Sequence, residues 1–518
     1  MISSGALDDD ALKPLMGNWL EARVLEYPDD IAVVDLRVGS LKTERRTTYG
    51  EMYDRSKRIA SILSSTYSVG PRDRVMVVAY NSSDLYQILF ACWQLGAAYM
   101  PINWRLSPPE IKAIAADATP KVAITDRAFE TLVADLSLPV WWRDEDNATS
   151  PFENDIIAAP PCEKFVTPQL DAITTLLYTS GTTGKPKGVI STWRMQAMSV
   201  SQALHTNLGR STRTMTAAPM FHTAGLNSFA LPLFYYGGTV HILRHWDPVA
   251  ALGYLSDSNL GITHTLGVPV QFQMMAQCDG FEAASFTTVE RAGVGGAPVT
   301  EELLTKFQSK GMILCNSYGM TEVFGVATLA PELARKKLGS VGFAVRGTEI
   351  RVVDEDNIAV AANVSGEIQI KSRGVTPGYW DAPDLTAAAH TADGWYKTGD
   401  IGCLDNEGAL YIIDRKKDMY ISGGENVYPA EIENVLSAFP EISQSAVIGV
   451  ADEQWGEVGY AVIVLKEGTQ LSLETVQERC RDKLARYKVP KFMSITDELP
   501  RSGQGKVLKT ELRKMYGG

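Results

Sequence analysis

The sequence predicts an α/β protein with a large N-terminal domain and a small C-terminal α+β domain. Short apolar runs alternate with amphipathic stretches through the first two thirds of the chain, which is typical of parallel strands joined by covering helices. From about Gly339 onward, short strands are separated by Gly, Asp and Asn turns, which indicates a small β-rich subdomain. At 414–418 a charged run directly follows an apolar strand, and a compact region of about 100 residues begins there.

The first two thirds of the chain contain the clearest strand–helix pairs. Residues 74–79 are predicted to form a buried strand, and 84–95 to form a helix with its apolar residues on one face. Strands of this kind are apolar on both sides, so we expect parallel sheets that helices cover on both faces. Further buried strands are predicted at 121–125, 215–218, 239–243 and 312–316.

The last third of the chain divides into two parts. Short strands at 349–353, 366–371 and 409–413 belong to the β-rich subdomain, which is predicted over about 339–413. A helix is predicted at 430–439, two strands at 445–450 and 460–465, and a second helix at 473–484. We therefore expect a large domain over residues 1–416 and a small domain over 417–518.

Composition and charge exclude several classes of protein. The 518 residues include 49 basic and 61 acidic side chains, and the net charge of −12 argues against binding to nucleic acid or an anionic membrane. No apolar run approaches the roughly 20 residues of a transmembrane helix, and the N-terminus lacks a secretory signal. The six cysteines are widely spaced without a CxxC pair, which favours reduced thiols. The expected location is the cytoplasm.

The strongest local signal is the run Tyr178-Thr-Ser-Gly-Thr-Thr-Gly-Lys-Pro-Lys-Gly188. Its glycines let backbone N–H groups approach an anion closely, its hydroxyls donate hydrogen bonds, and its lysines supply positive charge. It is not a Walker A loop, because only two residues separate Gly181 from Gly184. A flexible surface turn is the alternative, which the apolar flanks at 173–177 and 189–190 disfavour. We therefore predict an anion-binding loop.

This loop resembles the phosphate-loop signature of the adenylate-forming enzymes, which include acyl-CoA synthetases, peptide-synthetase adenylation domains and beetle luciferases. Further signatures follow in the expected order, and the resemblance spans nearly the whole chain from Thr48-Tyr-Gly-Glu51 to the last helix. It implies two parallel α/β sheet subdomains, a small β-barrel-like subdomain and a mobile C-terminal domain. The signatures are Gly295-Gly-Ala-Pro298, Asn316-Ser-Tyr-Gly-Met-Thr-Glu322, Gly394-Trp-Tyr-Lys-Thr-Gly-Asp400, Asp414-Arg-Lys-Lys-Asp418, Ser422-Gly-Gly-Glu-Asn-Val-Tyr-Pro429 and Leu499-Pro-Arg-Ser-Gly-Gln-Gly-Lys506.

The resemblance implies a site for ATP and Mg²⁺. Thr321 and Glu322 are expected beside the phosphates, with Glu322 and Thr182 holding Mg²⁺, since a hard cation on phosphates needs only one or two carboxylates. Lys506 is expected to offset the charge that develops when a carboxylate joins the α-phosphate. Taken alone, Glu322 could be a solvated acid and Lys506 a solvated loop lysine. The loop residues implied to bind the nucleotide are Thr179, Ser180, Gly181, Thr182, Thr183, Gly184, Lys185 and Lys187.

The resemblance also implies residues for the nucleoside, for coenzyme A and for a domain rotation. A carboxylate can accept hydrogen bonds from two adjacent hydroxyls, and Asp400 matches the acid that binds the ribose, with Arg415 nearby; a turn acid is the alternative. Lys417 matches the hinge between the two half-reactions. For Trp455, ordinary packing is an equally good interpretation. The remaining residues assigned to the nucleotide or coenzyme A are Gly295, Gly296, Ala297, Pro298, Asn316, Tyr318, Gly319, Ile412, Ser422, Gly423 and Gly424.

An acyl pocket is implied by the same resemblance. Apart from His222, His264 and Glu322, its segments carry no ionisable side chain, so it should reject an acid with a second charge. Residues 293–295 are expected to leave open volume, and His222 could equally be structural. An aryl or cinnamate-type acid or a medium-chain fatty acid fits, and the sequence does not choose between them. The pocket residues are His222, Thr223, Ala224, Gly225, Val268, Gly293, Gly295, Met320 and Phe324.

Together these features imply an acid–thiol ligase, an AMP-forming acyl-CoA synthetase that uses ATP, Mg²⁺ and coenzyme A. It would form an acyl-AMP and then an acyl-CoA thioester from a small carboxylic acid. One alternative is an adenylating enzyme whose acceptor is a carrier-protein thiol or, as in luciferases, oxygen. Another is an inactive nucleotide-binding homologue, which the presence of Lys506, Glu322, Asp400 and Arg415 argues against. The sequence is compatible with a homodimer and does not decide the oligomeric state.

Overall fold

The computed structural model describes residues 2–3, 7–36, 44–144, 149–179, 186–296, 299–422, 425–481, 483–501 and 507–517. Its contacts divide the chain into a first unit, residues 1–350 and 370–396, and a second unit, residues 351–369 and 397–518. The chain passes from one unit to the other within the strands Thr348–Val353, Gly366–Ser372 and Tyr396–Leu404. The boundary predicted between 416 and 417 and the barrel-like subdomain stay predictions.

Within the described ranges, nine strands form the larger sheet of the first unit. The six strands between its antiparallel edges run parallel, as the alternation of strands and helices predicts. The strand predicted at 215–218 lies two residues earlier, at Arg213–Thr216. The strand predicted at 312–316 begins at Leu314 and continues to Met320. In spatial order the strands are Phe343–Ala344, Phe324–Thr328, Leu314–Met320, Arg291–Val294, His264–Gly267, Arg213–Thr216, Thr239–Leu243, Ile31–Leu36 and Arg45–Thr48.

A second sheet of the first unit contains six strands among the residues described. Five are parallel, and the last strand turns back antiparallel along one edge. That edge carries the predicted anion-binding loop. In spatial order the strands are Val140–Trp142, Val122–Thr125, Arg74–Val78, Ala98–Pro101, Ile173–Thr179 and Lys187–Thr192.

The helix Ser83–Leu95 lies in the core of the first unit. We expected one apolar face, but every residue of this helix is buried, including Asp84 and Gln87. The helix packs against strands of both sheets, and one apolar cluster joins Leu89 to Val77 of the smaller sheet and Val240 of the larger. A helix with a sheet on each side has no solvent-facing surface, so its polar residues need buried partners.

Several helices of the first unit begin with a side-chain cap. In the signature Thr48-Tyr-Gly-Glu51, the Thr48 hydroxyl accepts from the Glu51 N–H at 3.1 Å and the Glu51 carboxylate accepts from the Thr48 N–H at 2.9 Å, which is a capping box. The helices are Asp9–Leu12, Trp19–Glu26, Tyr49–Ser65, Ser83–Leu95, Pro108–Ala118, Glu130–Val133, Pro151–Ala158, Trp193–Gln202, Thr223–Asn227, Leu231–Tyr236, Pro248–Ser256, Pro269–Met275, Glu301–Gln308 and Pro383–Ala388.

The second unit contains the expected α+β region near the C-terminus. The long strands Ile442–Asp452 and Gly456–Leu465 pair antiparallel, and Phe492–Ile495 lies parallel to the second of them. The helices are Pro429–Ser437, Leu473–Arg481 and Lys509–Tyr516, so the helix predicted at 473–484 ends three residues early. The strands Tyr420–Ser422 and Glu425–Val427 complete this sheet, and the hairpin of Tyr396–Leu404 with Leu410–Arg415 precedes it. Over the described residues, no helix is long and apolar enough to cross a membrane.

Candidate active site

The predicted anion-binding loop connects two antiparallel strands at the edge of the smaller sheet. Thr179 ends one strand and pairs with Lys187, which begins the next. The two ends of the loop are therefore held side by side. The loop residues Ser180, Gly181, Thr182, Thr183, Gly184 and Lys185 lie outside the described residues, and their assigned contacts stay predictions.

Thr321 and Glu322 lie in the turn of another hairpin, formed by Leu314–Met320 and Phe324–Thr328. Phe324 has φ of +64°, a left-handed conformation that is rare for a bulky residue. A Cβ at Gly319 would lie 1.9 Å from the Phe324 carbonyl oxygen, so only glycine fits opposite this turn. Backbone strain of this kind is common where a protein holds functional groups. The strain here marks the turn that carries the predicted metal ligand.

A segment that sequence reasoning did not single out brings these two hairpins together. Tyr379 forms an antiparallel bridge with Val189 on the outer strand of the smaller sheet. The Thr376 N–H donates to the Glu322 carbonyl oxygen at 2.7 Å, and the Thr376 hydroxyl donates to the Ile190 carbonyl oxygen at 2.6 Å. The segment 376–380 thus extends the sheet edge and fixes the backbone of Glu322 to it.

The side chains of this junction form the Tyr379 cluster, defined as Lys187, Glu322, Tyr379 and Tyr396. The Tyr379 hydroxyl donates to Glu322 Oε1 at 3.1 Å and lies 3.0 Å from the Tyr396 hydroxyl. The Lys187 ammonium lies 5.0 Å from the centroid of the Tyr379 ring, within the range of a cation–π interaction. Burial, with the nearby charge of Glu322, raises the pKa of Tyr379 to about 12, so the hydroxyl stays protonated at neutral pH.

The charges of the Tyr379 cluster are not neutralised inside the described part of the chain. There, Lys187 forms no ion pair with a carboxylate, and Glu322 forms none with a cation. The same residues contain no group of three or more side chains suited to a metal. Glu322 is half-buried and only one of its oxygens is hydrogen-bonded to a tyrosine. A single carboxylate of this kind fits a Mg²⁺ ion whose other ligands are mostly phosphate oxygens.

The region implied to form the adenine slot is anchored by buried hydrogen bonds. Asn316 accepts from the Val299 N–H at 3.2 Å and donates to the Ser340 carbonyl oxygen at 3.1 Å. Its amide group thus supports the neighbouring chain rather than pointing to a ligand. The Gly295 N–H donates to the Gly267 carbonyl oxygen at 3.0 Å. Tyr318 and Gly319 lie at a β-bulge of the neighbouring strand. Gly296 has a left-handed backbone with φ of +88°. Ala297 and Pro298 lie outside the described residues.

In the second unit the structure brings Asp400 and Arg415 together, as the sequence predicts. They pair across the hairpin, and Arg415 Nε lies 2.7 Å from Asp400 Oδ1. Asp400 is buried while Arg415 is exposed. Ile412 lies on the same hairpin opposite Gly402. The carboxylate is therefore held in one orientation, which a group that binds two hydroxyls requires.

The residues assigned to the hinge and to coenzyme A also lie in the second unit. Lys417 is exposed in the turn after the strand Leu410–Arg415, and Ser422 is buried at the end of a short strand. Trp455 lies between the two long strands and is 46 % exposed, and its assignment to coenzyme A stays a prediction. The backbone N–H of Trp455 donates to Asp452 Oδ1 at 3.0 Å. Gly423, Gly424 and Lys506 lie outside the described residues.

Several residues of the predicted acyl pocket have structural partners. His222 precedes the helix Thr223–Asn227, and its ring centroid lies 4.5 Å from that of Phe221. A Cβ at Gly225 would lie 2.3 Å from the Pro219 carbonyl oxygen, so close packing requires this glycine. The Val268 N–H donates to Gln271 Oε1 at 3.0 Å. Thr223, Met320 and Phe324 are partly exposed, and Ala224 is exposed.

The expectation of open volume is wrong at Gly293. A Cβ at Gly293 would lie 2.7 Å from Leu266 Cδ1 and 3.2 Å from the Phe229 ring, so the space beside Gly293 is filled. Val294 is buried in an apolar core cluster. His264 is also buried, with Nε2 2.6 Å from the Thr206 carbonyl oxygen, and burial lowers its pKa. It is a neutral core histidine.

The parallel sheets, the hairpin loop and the Glu322 turn are the features of an adenylate-forming enzyme. The family model described as AMP-binding enzyme matches residues 20–380, and the one described as AMP-binding enzyme C-terminal domain matches residues 431–506. The chain therefore belongs to the AMP-binding enzyme family. The predicted α/β fold class and superfamily are confirmed.

Similar proteins are acid–CoA ligases. Feruloyl-CoA synthase from Amycolatopsis sp is 36 % identical over 504 residues, which cover 97 % of this chain and 99 % of that protein. Indoleacetate–CoA ligase from Aromatoleum aromaticum is 36 % identical over 488 residues, with coverage of 91 % and 94 %. A solved structure of O-succinylbenzoate coenzyme A synthetase from Bacillus subtilis with ATP and a magnesium ion is 30 % identical, covers 96 % of this chain and 99 % of its own, and has a TM-score of 0.84. The predicted enzyme class, an acyl-CoA synthetase, is confirmed.

Proposed function

We propose that this protein is an AMP-forming acyl-CoA synthetase that activates an aromatic carboxylic acid of the cinnamate type. The observation that supports it best is the Tyr379 cluster. There, Lys187, which begins the strand after the anion-binding loop, and Glu322 contact the same tyrosine, and neither has a partner of opposite charge among the described residues. Magnesium-bound ATP carries both kinds of charge and would complement both groups.

The reaction has two steps. A carboxylate oxygen of the acid attacks the α-phosphorus of ATP, and the bond from that phosphorus to the bridging oxygen breaks, which gives acyl-AMP and pyrophosphate. The sulfur of coenzyme A then attacks the acyl carbon, the bond to the AMP oxygen breaks, and the thiol proton passes to solvent. Mg²⁺, when bound, neutralises phosphate charge. Glu322 would hold that ion, Lys187 would attract phosphate, and Lys506 would offset the charge at the reacting phosphate.

We propose an aromatic acid rather than a long alkyl chain. A Cβ at Gly293 would lie 2.7 Å from Leu266 Cδ1 and 3.2 Å from the Phe229 ring, so this part of the implied pocket is filled. A planar ring can stack on an aromatic side chain, and Phe324 of the implied pocket is partly exposed. His264 is neutral and buried, so the implied pocket offers no counter-charge for a second carboxylate. The names of two relatives, which refer to ferulate and indoleacetate, agree with this choice.

The test is pyrophosphate release from ATP with benzoate, cinnamate, ferulate, indoleacetate, octanoate and palmitate, followed by mass spectrometry of the coenzyme A products. We expect the highest kcat/KM with a cinnamate-type acid and a thioester for each acid that supports release. Higher kcat/KM for palmitate would contradict the substrate class. Pyrophosphate release without any thioester would contradict coenzyme A as the acceptor.

Two variants separate the half-reactions. Lys506→Ala should abolish ATP–pyrophosphate exchange, whereas Lys417→Pro should spare exchange and slow thioester formation, because it changes the proposed hinge. Full exchange in Lys506→Ala, or equal loss of both steps in Lys417→Pro, would contradict these roles.

The cytoplasm is the compartment we propose, since all six cysteines carry free thiols.

A further inference from the structure

We infer that Tyr379 is a positioning residue for magnesium-bound ATP, which keeps Glu322 and Lys187 apart and oriented. The inference rests on the proposed function, since it concerns how the same site takes its nucleotide. Tyr379 belongs to none of the sequence signatures above, and it does not need to touch the nucleotide to act. It acts through the two charged side chains that it contacts.

The two halves of the tyrosine side chain have separate partners. The hydroxyl donates to Glu322 Oε1 at 3.1 Å, which orients the carboxylate. The face of the ring lies below the Lys187 ammonium, 5.0 Å from its centroid. A hydrogen bond to a charged group and a cation–π interaction each stabilise one orientation of a side chain that would otherwise be mobile.

The position of Tyr379 between the charges matters as much as its contacts. A lysine and a glutamate on adjacent segments would ordinarily form an ion pair, and each would then lose attraction for a ligand. Here Lys187 contacts the ring and Glu322 the hydroxyl of one tyrosine, and within the described residues the two form no ion pair with each other. The carboxylate thus remains available to a cation and the ammonium to an anion.

The tyrosine itself is held in place. Its side chain is only 8 % exposed, and its hydroxyl lies 3.0 Å from that of Tyr396, which is also buried. The backbone on either side is tied to the outer strand of the smaller sheet: the Ile190 N–H donates to the Gly378 carbonyl oxygen and the Trp380 N–H to that of Gly188. Little reorganisation is therefore needed when the nucleotide binds.

The experiment measures ATP affinity by calorimetry in excess magnesium chloride and again in excess EDTA, without any acid substrate. The ratio of the two affinities is the magnesium enhancement. Tyr379→Phe keeps the ring and removes the hydroxyl, so the enhancement should fall about tenfold while the affinity in EDTA stays within about twofold. Tyr379→Leu removes the ring as well, so the affinity in EDTA should also fall by about threefold.

Tyr49→Phe is the matched control. Tyr49 is a fully buried tyrosine of the same unit whose hydroxyl donates to the Gly238 carbonyl oxygen at 2.7 Å, and it should change neither affinity. If Tyr379→Phe folds and keeps a normal magnesium enhancement, the role of Tyr379 is overturned. It is also overturned if the magnesium enhancement falls equally in Tyr49→Phe. If Tyr379→Phe does not fold, Tyr396→Phe serves instead, with an expected fall of about threefold; no fall overturns the inference.

The proposed function fails in a different way. A wild-type protein that binds ATP with a clear magnesium enhancement but makes no acyl-CoA from any acid leaves the role of Tyr379 intact and removes the ligase assignment. A wild-type protein without magnesium enhancement overturns both. Activity measurements thus decide the function, and nucleotide affinities decide the positioning role.

Discussion

Two charged clusters in the first unit are built in opposite ways. In the buried network, defined as Arg45, Arg55, Asp84, Asp126 and Arg143, Arg143 is fully buried and donates to both oxygens of Asp126 at 2.9 and 2.7 Å. It also lies 3.3 Å from Asp84, which itself contacts Arg45 and Arg55. In the Tyr379 cluster, by contrast, Lys187 and Glu322 each contact a tyrosine, and neither forms an ion pair with another described residue.

We attribute the difference to the role that we propose for each cluster. Charges within a core are costly unless they neutralise one another, so the buried network pairs every carboxylate with a guanidinium. Although burial opposes it, Arg45 and Arg143 lower the pKa of Asp84 to about 2. A site for a magnesium-bound triphosphate needs charges that have not been neutralised, and it tolerates them because it is partly open to water. Substitutions in the buried network should affect stability, and those in the Tyr379 cluster should affect nucleotide binding.

The largest effect is expected for Asp84→Asn in the buried network. The change removes the negative charge that contacts three guanidinium groups, so the free energy of unfolding should fall by about 3–5 kcal/mol. Urea unfolding followed by tryptophan fluorescence measures it. Asp10→Asn is the control, because Asp10 pairs with Lys13 on the surface and its loss should not be measurable. A decrease below about 1 kcal/mol for Asp84→Asn would show that the buried network is not needed for stability.

The next largest effect is expected for Glu322→Gln. The amide cannot neutralise a bound Mg²⁺ ion, so pyrophosphate release should slow by about a hundredfold at unchanged unfolding temperature. Glu302→Gln, at an exposed helical glutamate, serves as the control. If Glu322→Gln lowered the unfolding temperature as much as Asp84→Asn does, the two clusters would not differ in the way described.

Lys187→Met should have a smaller effect on binding. Loss of one cation beside the anion-binding loop should weaken ATP affinity by about tenfold, with little change in stability because no carboxylate among the described residues loses a partner. Lys112→Met removes an exposed lysine from the helix Pro108–Ala118 and should leave the affinity unchanged. An equal loss in both variants would mean that general charge, rather than position, attracts the nucleotide.

The smallest effect concerns a buried group that is kept neutral rather than paired. Burial lowers the pKa of His241 to about 4, below its ordinary value of 6.5. Between about pH 4 and about pH 6.5 the unfolded chain therefore binds a proton at His241 that the folded chain does not. The free energy of unfolding is thus highest above about pH 6.5 and falls as the pH falls toward 4. The free energy of unfolding should decrease between about pH 7 and about pH 5, and less so in His241→Leu. Equal slopes for both proteins would contradict this assignment.

Local patterns in the sequence were sufficient for the architecture and for part of the site. Apolar runs of strand length gave the strands at 74–79 and 239–243, since a buried parallel strand must be apolar on both faces. Asp400 and Arg415 were expected to be close, and a strand register places them opposite each other. Motifs with fixed spacing also identified the superfamily, which the matched family models confirm.

The sequence was less informative wherever a contact depends on packing between distant segments. Gly293 was expected to leave space, but Leu266 and Phe229 fill it from other elements. His264 lies in a segment that was expected to contribute to the pocket, and no local pattern shows that its ring contacts the Thr206 carbonyl oxygen in the core. Asp84 lies on a helix that was expected to have one polar face and is instead covered by two sheets.

What the sequence alone determined is the fold class and the class of protein, because composition, periodicity and motif spacing are local properties. What only the tertiary structure decided is how the side chains of Glu322 and Lys187 are held. Tyr379 and Glu322 are 57 residues apart, and their hydrogen bond exists because the segment 376–380 pairs with the edge of a sheet. Pairing of that kind depends on which edges are exposed after the sheets have formed, and no local pattern encodes it.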